Sequence, residues 1–258
     1  MSGRNTPIVS ACVLFCFLIQ GSLFNTAFAL SPKKSEVLSK DTREKLFQVK
    51  QRYERLLEKC TDTLSERCAD ILFDLAKIYY DIQRDAYVQE LNTFEREIEA
   101  WERRPEGEKP VHPIPDYTRS LETYLRLIGE YPVLPRIAQV YYQVGNLYML
   151  RGEVDSSKNS FQSILTKTPN SRIASAAHFR IADFCYMNNH FRAALKHLNL
   201  IKQNDVTAET WELALYRKGE CYQHLAEFDL AVEHFFDYVE KCDAGIYVRQ
   251  ELLSLIHI

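Results

Sequence analysis

The residue types that do chemistry are present in this 258-residue sequence, but their spacing rarely suits it. Glu95, Glu97 and Glu99 crowd one stretch, as the paired carboxylates of general acid–base catalysis do. Arg96 and Arg103 share that stretch, and ion pairing on a solvated helix face accounts for all five better than catalysis does. His197 and His234 invite a metal-site reading. They stand 37 residues apart at equivalent places in two repeats, which predicts two exposed helix positions and no convergence on one ion. Cys60 and Cys68 flank "TDTLSER", a connection between helices whose ends can lie close together; a disulfide and two free buried thiols are both open. There is no CxxC pair, GxSxG, HExxH, P-loop or Rossmann fingerprint. The chain is therefore read as non-enzymatic, with no catalytic, cofactor-binding or metal-binding residues.

With 46% hydrophobic and 26% charged residues, only 8 glycines and 9 prolines, and few β-branched runs, the composition favours long helices over sheet. A formal charge of −3 points to neither nucleic acid nor an anionic membrane as partner. Arg4, the apolar run "IVSACVLFCFLIQGSLF" and the small residues Ala27 to Ala29 together predict a cleavable signal peptide over residues 1–29. Its loss leaves 31 basic against 35 acidic residues, a charge of −4, with Cys60, Cys68, Cys185, Cys221 and Cys242. The expectation is export to the periplasm or the outer membrane of a bacterial envelope, without membrane insertion after cleavage. Residues 30–40 read as a flexible exported tail.

The elements that position everything else come from a repeat. In "YYQVGNLYMLRGEVDSSKNSFQSILTKTP", Tyr141, Val144, Gly145, Tyr148, Ser157, Phe161, Ile164 and Pro169 fall at offsets 4, 7, 8, 11, 20, 24, 27 and 32 of a helical hairpin. Ile181, Ala182, Cys185, Ala194, Leu198 and Ile201 follow suit, as do Gly219, Tyr222, Ala231, Phe235 and Tyr238, in steps of 37 residues. A small residue at offset 8 lets helix A approach the small residue at offset 20 of helix B, while bulky offsets fill the space between hairpins. One hairpin cannot bury its apolar face alone, but a stack can.

These residues resemble tetratricopeptide repeats, which implies an all-α solenoid of helical hairpins. Units are expected at 138–174, 175–211 and 212–245, with a further one beginning at 246–252. An earlier unit, 61–137, is interrupted. Leu75, Ala76 and Tyr79 mark its helix A, yet its small partner Ser120 lies 44 residues after Ala76 instead of 12. The inserted segment predicts one elongated helix running on past Ile82 to Arg103, about 32 Å further. Its apolar stripe includes Phe94, Ile98 and Trp101, and a proline-rich strap, Arg104 to Pro115, returns along it. This protruding helix is the expected docking element. Before it, residues 41–60 predict a cap or degenerate helix B, opened by Asp41, with Leu46, Val49, Tyr53 and Leu56 or Leu57 as its apolar face. Residues 253–258, "LSLIHI", equal the translation of a transposon-adapter end and are expected to be non-native, with the chain truncated there.

In such stacks the concave surface is lined by the A helices. The resemblance places there Phe73, Tyr142, Phe179 and Tyr216 at offset 5, Lys77, Asn146, Asp183 and Glu220 at offset 9, and Tyr80, Met149, Tyr186 and Gln223 at offset 12. Rings interleaved with polar groups suit an extended peptide or a partner helix; the alternative is that the rings pack between helices. "LFDLAKIYYDIQRDAY", "PDYTRSLETYLRLIGEYP" and "ALYRKGECYQHLAEFDLAVEHFFDYV" together resemble the exported repeat proteins of bacterial gliding-motility machinery. That implies a scaffold binding other envelope proteins. An adaptor in outer-membrane protein assembly or envelope constriction is a second reading, and a larger protein with a catalytic domain after Leu252 a third.

Overall fold

The computed structural model describes residues 37–60 and 65–241. The signal peptide, most of the tail, Cys242, the further repeat and the terminal hexapeptide lie outside the described residues. What is described is all-helical: α1 (Lys40–Glu58), α2 (Glu66–Arg103), α3 (Thr118–Glu130), α4 (Ile137–Leu150), α5 (Val154–Lys167), α6 (Ile173–Met187), α7 (Phe191–Leu198), α8 (Ala208–His224) and α9 (Phe228–Lys241). Each packs on the next in the chain, and α4, α6 and α8 also touch one another. The result is a helical-hairpin solenoid with α2/α3, α4/α5, α6/α7 and α8/α9 as its hairpins and the A helices as its inner row.

The small-residue rule holds atom by atom. A Cβ on Gly145 would stand 2.7 Å from the Phe161 ring, and one on Gly219 2.5 Å from Phe235. Both rings are fully buried, each worth roughly 1.5–3 kcal/mol of transfer free energy. The third hairpin has Ala182 opposite the smaller Leu198, also fully buried. The A-to-B turns repeat too. Gly152, Asn189 and Ala226 take φ of 76°, 58° and 57°, and the amides of Glu153, His190 and Glu227 donate back to the carbonyls of Tyr148, Cys185 and Tyr222 at 2.8, 2.8 and 3.0 Å. This is the left-handed helix ending with its six-to-one bond.

In the first hairpin the equivalent residue, Gln83, stays helical, so no turn forms and α2 runs for 38 residues, about 57 Å. Gln83 still closes the hairpin: its Oε1 accepts the Ser120 amide of α3 at 3.1 Å. The stack covers α2 further than the sequence reading expected. Asp85 and Val88 are buried, because α1 lies antiparallel on α2 up to that point. Asp85 accepts from the Leu38 amide (2.7 Å), Arg43 Nε (3.0 Å) and Gln89 Nε2 (2.8 Å). The free arm is thus residues 89–103, about 22 Å long and not 32 Å.

Three local expectations are corrected. Ser39, not Asp41, caps α1, its Oγ accepting from the Thr42 amide at 3.1 Å, while Asp41 pairs with Lys45. Residues 37–40 accordingly belong to the cap and its anchor, not to a tail. Val49 is 40% exposed, so the apolar face of α1 is Leu46, Tyr53, Leu56 and Leu57. At the other end of the α1/α2 turn, Cys60 and Cys68 form a disulfide with Cα atoms 5.9 Å apart.

Candidate protein-interaction surface

The strap of residues 104–117 does return along the arm. The His112 ring meets Phe94 edge-on at 5.0 Å, Trp101 Nε1 donates to the Gly107 carbonyl, and Lys109 sits 5.6 Å over the Trp101 ring. Phe94, Ile98 and Trp101 are each half-buried, so two of the three apolar residues expected to dock a partner are held by the chain itself. The carboxylates Glu95, Glu97 and Glu99 are exposed, with Glu99 paired to Arg103 at 3.5 Å.

Along the inner row the expected groove residues divide. Phe73 and Phe179 are buried. Phe73 packs edge-on against Tyr124 at 5.7 Å beneath Arg136 and Lys77, and Phe179 joins Leu198 and Ala214 in the core of the third hairpin. Neither ring is open to a partner, which corrects that part of the expectation. Tyr142 and Tyr216 are half-buried, their rings 5.5 and 5.6 Å from Phe161 and Phe235. Tyr80 stacks on Tyr117 at 5.3 Å, and Lys77 and Met149 remain accessible.

Asp183, Tyr186 and Glu220 come together around a residue the sequence reading passed over. Arg217 is only 7% exposed. It holds Glu220 Oε2 at 2.7 Å, approaches Asp183 Oδ1 at 3.5 Å and lies 4.2 Å over the Tyr186 ring. Burial pushes the Asp183 carboxyl up against the pull of Arg217 and Arg180. This fits a guanidinium whose short contact goes to Glu220. Burial would lower Arg217 itself, but Glu220 and Asp183 outweigh it and leave it raised, a fixed cation. Burial, with Glu220 beside it, raises the Tyr186 phenol, whose hydroxyl lies 3.2 Å from His224 Nε2. One repeat earlier stands Arg180, and the Nε of Arg180 and Oδ1 of Asn146 are buried without a hydrogen-bond partner. A signal for both arginines was present: they are 37 residues apart, each just after an offset-5 ring.

His197 and His234 are half-buried, not exposed. His197 Nδ1 lies 2.9 Å from His178 Nδ1, and His234 stacks on Tyr222 at 5.0 Å. Among the described residues no three His, Cys, Asp or Glu gather as a metal site would need, and no helix is long and apolar enough to cross a membrane. Burial raises the Cys185 thiol, and Cys221 to about 12. No protein-family model matches the chain, and comparison with curated proteins finds no match.

Proposed function

We propose that the chain is a non-enzymatic, tetratricopeptide-like scaffold, exported into a bacterial envelope, that holds protein partners along the inner row of A helices and at the arm. The observation that carries the reading is the state of that row. Tyr142, Met149 and Tyr186 stay half exposed around the unmet polar atoms of Asn146 and Arg180. Interior packing alone would bury such rings and pair such atoms, whereas a peptide supplies both apolar side chains and backbone hydrogen-bonding groups. The Cys60–Cys68 bridge supports an oxidising compartment. The resemblance to gliding-motility repeat proteins supports a place in a motility complex.

The test is a pull-down from envelope fractions with tagged wild type and with Tyr142→Ala, Arg180→Ala and Tyr186→Ala. Specific co-purifying proteins should be lost with these variants, and a catch that none of them alters would overturn the reading. A fusion to alkaline phosphatase reports export, and surface spreading of a deletion strain reports motility.

A further inference from the structure

The arm has an outward edge that the stack does not use. On the strap, Val111 and Ile114 are 87% and 82% exposed, although the segment carrying them is held against α2. Burial there follows a three-residue period: Pro110 and Pro113 are half-buried and face the arm, Val111 and Ile114 face solvent. Three residues per turn is the period of polyproline II, which places the two exposed side chains on one edge, roughly 9 Å apart. No backbone–backbone hydrogen bond joins residues 107–116. Pro110, Pro113 and Pro115 have no amide to donate, so this edge cannot extend a partner's β-sheet.

We propose that Lys109–Pro115 is a preformed polyproline-type ligand, displayed on the arm for a partner domain with an aromatic-lined groove and a basic rim. The inference rests on the protein-binding reading above and names a second surface with its own kind of partner. The groove is aromatic because flat rings are what grip proline ridges and the side chains between them. The rim is basic because residues 86–116 carry eight Asp or Glu against four Lys or Arg, a net −4. Contacts from Phe94, Trp101 and Lys109 fix the strap beforehand, so little ordering entropy remains to be lost on binding.

The test is calorimetric titration of the full chain against a panel of purified polyproline-reading domains (SH3, WW and EVH1). At least one domain should bind one-to-one, more weakly as salt rises, and the double variant Val111→Asp/Ile114→Asp should weaken it at least about tenfold. Val133→Asp is the control. Val133 is 90% exposed but sits on a hydrogen-bonded turn, so binding should not change. Tyr142→Ala and Arg180→Ala should also leave it intact. No binding across the panel, or binding indifferent to Val111 and Ile114, overturns the proposal while leaving the inner-row reading standing. Binding lost with the inner-row variants instead would move the partner there and overturn it as well. All three sites of substitution on the strap and turn are solvent-facing, so unchanged circular dichroism should accompany every outcome.

Discussion

Ser120 donates its hydroxyl to the Ala76 carbonyl at 2.8 Å across 44 residues of chain. Ser157 makes the same bond to Gly145 at 2.7 Å across 12. Both serines are fully buried, and both join the small residue of a B helix to the small residue of its A helix. The difference of 32 residues is the arm and its strap. Because the bond survives the insertion, Ser120→Ala should destabilise the fold by about 1 kcal/mol, the net worth of one buried hydrogen bond. Urea unfolding measures it, and Ser157→Ala should match it.

Gly145→Ala should also destabilise. The added methyl would meet the buried Phe161 ring at 2.7 Å, and overpacking typically costs about 1–3 kcal/mol. That outweighs the roughly 1 kcal/mol by which alanine favours a helix over glycine. Adding Phe161→Leu copies the Ala182/Leu198 pairing of the third hairpin and should relieve the clash. A double-mutant cycle should therefore return a favourable coupling of at least about 0.5 kcal/mol.

The turn residues make a third comparison. Ala226 holds φ of 57° where the second hairpin has Gly152, and the left-handed region costs an L-residue about 1–2 kcal/mol. Ala226→Gly should raise stability by up to about 1 kcal/mol after the entropy of a freer unfolded chain is subtracted. Asn189→Gly should do less, since asparagine tolerates this conformation better. Paired thermal melts of the two variants decide it.

Reducing the Cys60–Cys68 bridge, or replacing both cysteines by serine, opens a short loop between α1 and α2. A loss of about 2–3 kcal/mol is expected. Hydrogen exchange should show α1 protection falling first, because α1 has no buried residue of its own.

Acid should weaken the third hairpin. Burial lowers the pKa of His178 and of His197, and His178 is lowered further by its neighbour. Both rings therefore stay neutral in the fold while the unfolded chain binds protons near 6.5. The sign follows: stability is full above about pH 6.5 and is lost as pH falls below it, by at most about 1.4 kcal/mol per pH unit per histidine. Urea midpoints at pH 7.5 and 5.5 should differ in wild type, and less so in His178→Gln.

Period and small residues were enough to read the hairpins, the helix end at Arg103 and the returning strap from the sequence. The fate of single rings was not legible. At offset 5 an aromatic looks the same whether it faces solvent or its own B helix. Phe73 is buried because Tyr124 stands opposite and Arg136 lies over it, a residue 63 positions away in sequence. Arg217 was missed for the converse reason. Flanked by Tyr216 and Lys218, it reads as surface charge, and only the helix beside it supplies Asp183 and Tyr186 to take it inward. The arm's root was misplaced by six residues because Asp85 looks like one more exposed carboxylate until Leu38 and Arg43 are brought to it.

That root gives the arm a mechanical character. It is clamped on one side through Asp85 and on the other through Gln83 and Ser120, while its far end is braced only by its own strap. Such a beam is a cantilever: a load at the tip is not absorbed locally but arrives as torque on α1, α2 and α3. A partner gripping the tip would therefore steer the orientation of the first hairpin against the next.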